Sequence, residues 1–160
     1  MAFVVPDGYG GLNWSNIWLD DAATGGHMSK GITSGSYATY TGSNPFIYEV
    51  TIPDGTFDFI SANLTAMWYT PTLTVKGYLG SNLNYSQSLS SISTSSPQEY
   101  VFNYLGIDRL ELITTPSGDN RNIIIDDFNV TVNPIPEPAT MLLLGSGLIG
   151  LASARRKFKK

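Results

Sequence analysis

The only histidine, His27, sits in Gly25-Gly26-His27-Met28-Ser29. It could activate one of many serines, but no Gly-x-Ser-x-Gly elbow accompanies it, so a Ser–His nucleophile is not expected. Two adjacent carboxylate pairs, Asp20-Asp21 and Asp126-Asp127, are the next candidates for chemistry. Glycoside hydrolysis needs two carboxyl groups facing each other across a cleft, roughly 5 to 10 Å apart. Neighbours on a strand point to opposite faces, so neither pair supplies that geometry by itself. Only carboxylates from distant parts of the chain would. Sugar binding asks for less: flat aromatic faces for stacking and amide or carboxylate groups for hydroxyls. The chain offers Trp14, Trp18, Trp68 and 9 Tyr, with Tyr9, Tyr69, Tyr78 and Tyr85 near turns or strand ends. Tyr69 next to Pro71, and Tyr78 flanked by Gly77 and Gly80, are placed for exposed platforms, and Trp18 is a third ligand-binding candidate. Trp14 and Trp18 lie four apart in one expected strand and so share a face; beside Leu12, Trp14 reads as a packing aromatic.

The elements that must carry these residues are strands. Helical periodicity is nearly absent before residue 139, and short runs rich in Val, Ile, Thr, Tyr and Phe recur between Gly, Pro, Asn and Ser clusters. Strands are expected at 13–19, 37–40, 46–52, 57–67, 73–79, 83–89, 100–104, 109–114 and 122–132. Turn signals such as Pro53-Asp54-Gly55, Gly80-Ser81-Asn82 and Ser117-Gly118-Asp119 divide them. This spacing predicts an all-β body, an antiparallel β-sandwich (jelly roll), with a closed barrel as the alternative. Phe57, Phe59, Leu64, Ala66 and Trp68 cannot share one face of a continuous strand, which predicts a bulge near residues 61–63. In the last strand the same alternation puts Asp126 inward with Ile124, Phe128, Val130 and Val132, and Asp127 outward. An inward carboxylate needs an ion-pair partner, hydrogen bonds or a cation. Arg109, a Tyr hydroxyl, backbone N–H groups or a metal ion could answer that need. The Ser/Thr-rich stretch 86–96 reads as a solvated loop, with glycosylation as the alternative.

The last 27 residues differ in kind. Residues 139–154 contain no charge, and as a helix at roughly 1.5 Å per residue they would reach about 24 Å, somewhat short of a bilayer's hydrocarbon core. Snorkelling of Arg155 and local thinning close the difference, and lipid tolerates Gly145, Gly147 and Gly150 better than water does. A transmembrane helix is expected, stopped on one side by Pro136 and Pro138. On the other side Arg155, Arg156, Lys157, Lys159 and Lys160 form a basic cluster that stays cytoplasmic. The order Pro136-Glu137-Pro138, apolar helix, terminal Arg/Lys cluster resembles the PEP-CTERM sorting signal. That resemblance implies an exosortase-type membrane enzyme as partner, cleavage near the Pro-Glu-Pro motif, and delivery to the cell surface or extracellular matrix from a membrane-inserted precursor. It divides the chain into a β-sandwich body, residues 1–133, and a sorting signal, residues 134–160. Proteins sorted this way need a signal peptide, and Met1-Ala2-Phe3-Val4-Val5-Pro6 has neither a basic region nor a long apolar one, so a leader is expected to be missing from this start.

A second resemblance is local. Ile125-Asp126-Asp127-Phe128 resembles the last strand of galactose-binding-like and carbohydrate-binding jelly rolls, which implies a structural calcium ion at Asp126. Asp7 or loop carbonyls could complete its oxygen shell. Residues 6–14, Pro6-Asp7-Gly8-Tyr9-Gly10-Gly11-Leu12-Asn13-Trp14, resemble the opening of a β-domain recurrent in sorted surface proteins.

Composition narrows the function. Five of the 9 Lys and Arg lie in the tail, so the body keeps Lys30, Lys76, Arg109 and Arg121 against all of the 13 Asp and Glu except Glu137. Such a surface repels phosphate backbones, so no nucleic acid is expected as partner. With 0 Cys there is no disulfide, thiolate nucleophile or Cys-based zinc site. The expectation is an exported, non-enzymatic β-sandwich of the cell envelope that binds exopolysaccharide; the alternative is a secreted hydrolase of surface glycans.

Overall fold

Strand-forming runs that alternate between apolar and polar residues bury their apolar faces by stacking sheets. The computed structural model, in which residues 2–21, 26–42, 47–115 and 122–133 are described, contains eleven strands. Six form one sheet in the spatial order β1 (Phe3–Val4), β3 (Ile17–Asp21), β4 (Tyr37–Thr41), β11 (Ile123–Asn133), β6 (Thr56–Ala66) and β9 (Gln98–Ile107). Five form the other, in the order β2 (Asn13–Ser15), β5 (Ile47–Thr51), β10 (Arg109–Thr115), β7 (Thr72–Leu79) and β8 (Asn82–Leu89). Every pairing is antiparallel, so the expected all-β sandwich is what the body forms. The Pro136-Glu137-Pro138 motif, the apolar segment 139–154 and the basic residues after it lie outside the described residues. Among the described residues no helix is long and apolar enough to cross a membrane.

The core lies between the sheets. Tyr48 and Val50 of β5, Leu73 and Val75 of β7, and Leu110 and Leu112 of β10 meet Phe57, Phe59, Leu64 and Ile107 from the larger sheet. Phe59 is its aromatic centre, stacked on Phe102 and on Phe128 with centroids 4.7 Å away in each case, and edge-on to Tyr104 at 6.4 Å. Such pairs add about 0.5–1.5 kcal/mol each beyond simple burial. The Tyr104 hydroxyl crosses the core to donate to Val75 O at 3.2 Å, and burial pushes its pKa up to about 12.

Two sequence expectations change here. The expected strand 13–19 is two strands in different sheets, because Asn16 takes the left-handed conformation (φ 61°) and turns the chain between them. Asn tolerates that conformation through local hydrogen bonding, and its Nδ2 donates to Ile47 O at 3.3 Å. Trp14 and Trp18 therefore do not share a face. The other change is in β11. Asp126 pairs with Asn63 but Asn129 pairs with Ser61, three residues against two, and Asp127 at φ 46° is the bulged residue. The bulge resets the alternation: Ile123 and Ile125 face the main core together with Phe128, Val130 and Val132, while Ile124 and Asp126 face outward. The bulge expected near residues 61–63 of β6 is also present, slightly earlier. Asn129 pairs with Ser61 and Val130 with Phe59, which leaves Ile60 as the extra residue.

Asp126 is buried although it points out of the sandwich, because residues 26–34 cross that face. Met28 and Ile32 pack with Ala38, Tyr40, Met67 and Ile124 in a small second apolar cluster. Gly31 makes this approach possible: a Cβ there would lie 2.5 Å from Ile124 Cγ2, inside any permitted contact.

Candidate functional site

The bulge also parts the larger sheet. β4 pairs with β11 only at Ile124 and Ile125, and beyond Asp127 β11 continues against β6 alone. The gap is a groove of about 480 Å³ between β4, β11 and the N-terminal segment. Val5, Leu12, Trp14, Leu19, Phe128 and Val130, all packed on the main core, give it an apolar floor. Tyr9 and Tyr37, 66% and 57% exposed, stand along it, and Ser34, Asp126 and Asp127 give it a polar wall. The N-terminal turn that presents Tyr9 depends on Gly8 and Gly10 at positive φ (85° and 64°). It is closed by Trp14 N–H donating to Asp7 Oδ1 at 3.0 Å and Trp14 Nε1 donating to Tyr9 O at 2.9 Å. Trp14 in turn rests edge-on against Phe128 at 5.2 Å.

The polar wall concentrates charge. Asp126 Oδ2 accepts Thr33 N–H at 2.6 Å and Ser34 N–H at 3.0 Å, and lies 2.7 Å from Thr33 Oγ1. Asp127 Oδ2 is also 2.7 Å from Thr33 Oγ1 and accepts Asn63 Nδ2 at 2.9 Å, while Asp127 Oδ1 accepts the Ser34 hydroxyl at 2.6 Å. The Thr33 hydroxyl has one proton for two carboxylate oxygens, so the cluster is one donor short of its oxygen–oxygen contacts. Asp126 is 9% exposed and lines the groove, and its Oδ1 takes no hydrogen bond among the described residues. Hydrogen bonds from Ser34 and then Thr33 hold the Asp127 carboxyl below the usual carboxylate range. In the cross-strand row Asp126 pairs with Asn63, and Asn63 with Glu99 of β9, so the row continues across the outer face. A second, shallower depression of about 460 Å³ lies there, lined by Ser61, Asn63, Glu99, Asp127 and Asn129 among others.

The ligand candidates named from sequence stand elsewhere. Tyr69 is 61% exposed at the turn after β6. Tyr78 carries the Arg109 guanidinium over its ring at 3.9 Å and donates its hydroxyl to Glu111 at 2.9 Å, so one of its faces is covered. Trp18 lies against Gly42, where a Cβ would meet its Nε1 at 3.0 Å. None of the three lines either depression. The His27 ring lies tilted against that of Trp68, with centroids 3.4 Å apart. Asp126 finds the backbone N–H partners that were one of the expected answers to its burial, and not Arg109, which pairs with Glu49 and Glu111.

Calcium takes six to eight oxygen ligands. At Asp126 two N–H groups already occupy one carboxylate oxygen, Asp7 is turned to Trp14, and among the described residues no three His, Cys, Asp or Glu side chains come together. Loop carbonyls and hydroxyls would have to supply the rest of a calcium shell there. Sequence reasoning missed Thr33, Ser34, Asn63, Tyr37 and the convergence of Asp126 with Asp127. None of these left a readable trace, because Ile124, in phase with Phe128, Val130 and Val132, stands between Ile123 and Ile125.

Residues 134–157 match the PEP-CTERM protein-sorting motif, so the expected signal is present, and it implies a secreted or cell-surface protein of the cell envelope. Among curated proteins none matches the chain. Among solved structures, a cyclase from Fischerella sp. TAU is similar with TM-score 0.54 and 12% identity, over 84% of this chain and 89% of that one, which shows a shared fold. TmCBM61 in complex with beta-1,4-galactotriose is similar with TM-score 0.44 and 17% identity, over 80% of this chain and 95% of that one. A CBM4 structure is similar with TM-score 0.42 and 16% identity, over 76% and 87%.

Proposed function

We propose that this chain is routed by its C-terminal motif to the cell surface or extracellular matrix, where the sandwich holds a polysaccharide in the groove between β4 and β11. In this reading residues 1–133 are the working body and 134–160 the address. Segment 139–154 spans the membrane of the precursor, Arg155 to Lys160 stay cytoplasmic, and an exosortase-type enzyme cuts near Pro136-Glu137-Pro138.

The groove is the observation that carries the binding role. A sugar ring has an apolar C–H face and a rim of hydroxyls. The apolar floor and the exposed Tyr9 and Tyr37 rings suit the first, and Ser34, Asp126 and Asp127 suit the second. The hydrolase alternative is less well supported. Asp126 and Asp127 stand side by side around one hydroxyl instead of facing each other across a cleft, and Asp127 is shifted in the wrong direction for a proton donor.

Polysaccharide extracted from the producing cell's envelope should retard the purified body in native gels. Tyr37→Ala should migrate faster in the same gels, and equal migration with and without every envelope polysaccharide would remove the binding role. In a host carrying the sorting enzyme, replacing Pro136, Glu137 and Pro138 with alanine should leave uncleaved protein in the membrane; unchanged release would remove the address.

A further inference from the structure

Each lining residue of the two depressions that is charged at neutral pH is an acid: Asp126 and Asp127 in the groove, Asp127 and Glu99 in its neighbour. Among the described residues no Lys or Arg pairs with any of the three, and the ion pairs of this body gather instead around Arg109 on the other sheet. Two features leave the cluster open to a donor from outside the protein. Asp126, nine-tenths buried, keeps Oδ1 without a partner on the groove wall, and the cluster around Thr33 lacks one proton-bearing donor.

From these observations, and resting on the polysaccharide reading above, we infer that the site selects glycans bearing protonated amines, a glucosamine-type polymer, over neutral or acidic ones. An ammonium group at Asp126 and Asp127 supplies the missing donor and the missing positive charge together. Its ring then lies on the apolar floor beside Tyr37 and Tyr9. The row Asp126–Asn63–Glu99 spans three adjacent strands, so its outer carboxylates sit about 10 Å apart, which suits a second amine on the same chain. Uronic or sulfated glycans would bring negative charge to this wall and are disfavoured by the same electrostatics.

The test is calorimetry of the folded protein, at modest ionic strength and mildly acidic pH, against a glucosamine tetramer, its fully N-acetylated counterpart and a galacturonic acid tetramer. The glucosamine tetramer should bind most tightly. Asp127→Asn, which the left-handed backbone tolerates, should weaken it about tenfold, and by a clearly larger factor than it weakens the N-acetylated tetramer. Glu99→Gln should weaken it less. Asp54→Asn, an equal charge change in the turn before β6, is the control for general attraction between an acidic protein and a cationic sugar. If Asp54→Asn weakens binding as much as Asp127→Asn, or if acetylated and free-amine tetramers bind alike, the inference is overturned and a neutral-glycan groove stands. If millimolar calcium abolishes the preference for the amine, the carboxylates serve a metal and the inference is likewise overturned. If no tetramer binds while the envelope polysaccharide still retards the protein, amine selection fails alone. If neither binds, the binding role itself fails.

Discussion

The five-stranded sheet keeps its register almost throughout, while the six-stranded sheet changes register in β6, β9 and β11. β10 pairs with both β5 and β7 without a shift, and the single shift in that sheet lies near Gly77 between β7 and β8. Its outer face is a plain cross-strand ladder, in which Arg109 covers Tyr78 and pairs with Glu49 and Glu111. Glu111 sits directly opposite Glu49, a repulsive pair that Arg109 and the facing Lys76 offset. In the larger sheet Asn103 and Asp127 adopt left-handed conformations (φ 52° and 46°), and each marks an extra residue. The regular sheet settles its own charges and leaves nothing over. The irregular one turns Asp127 toward a carboxylate that is already there and opens the sheet beside it. A bulge can thus make a site without any new residue, by re-aiming one.

The largest effect should come from breaking what the two sheets share. Phe59 touches Phe102, Phe128 and Tyr104, all from bulged strands, and its truncation removes the contacts that tie the irregular half to the core. Phe59→Ala is expected to cost about 3–5 kcal/mol in urea unfolding. A loss below about 1 kcal/mol would mean that the bulged strands are held by their ladders alone.

Sequence made the regular half legible and the irregular half only partly so. Leu73, Val75, Leu110 and Leu112 alternate cleanly, and their strands lie within a residue of where alternation puts them. The phase conflict across Phe59 and Leu64 announced the β6 bulge, because both flanking runs were apolar on one side only. In β11 the three consecutive isoleucines hid the same conflict: Ile124 is as buried as its neighbours, but against Met28 and Met67 on the outside. A strand covered on both faces shows no alternation, so the shift at Asp127 had nothing to be read against. Asn16 failed differently, since a single left-handed Asn between two tryptophans looks like any polar residue of a strand. Thr33 and Ser34 act through backbone N–H groups and hydroxyls of a loop, and no periodicity reports where a loop crosses a sheet.

Gly31 offers a smaller, local break. Alanine there would push residues 26–34 off Ile124, since its Cβ would fall 2.5 Å from Cγ2. The expected cost is about 1–3 kcal/mol, typical of overpacking. It should be accompanied by faster amide exchange at Thr33 and Ser34, whose N–H groups Asp126 holds. Amides of β10, in the regular sheet, should lose protection only through global unfolding. Equal acceleration in both sheets would show that residues 26–34 are not a separable cover.

Asp127 gives the smallest stability change and the sharpest contrast, because its conformation and its charge can be separated. Asp127→Ala removes both the side chain and the tolerance for φ 46°, and should cost about 1–2 kcal/mol. Asp127→Asn keeps the tolerance and loses only the charge, so its cost at neutral pH should be smaller. The pH dependence identifies which part is electrostatic. The folded Asp127 carboxyl lies below its usual value because Ser34 and Thr33 bond the charged form. Its contribution is therefore fully present above the usual carboxylate value and lost as pH falls through the lowered one. Wild type and Asp127→Asn should thus converge in unfolding free energy toward strongly acid pH, with a shallow slope because the residue is exposed and solvent screens it. If their separation stays constant across that range, the hydrogen bonds from Thr33 and Ser34 are not favouring the charged carboxylate. The bulge would then be holding a conformation and not a charge.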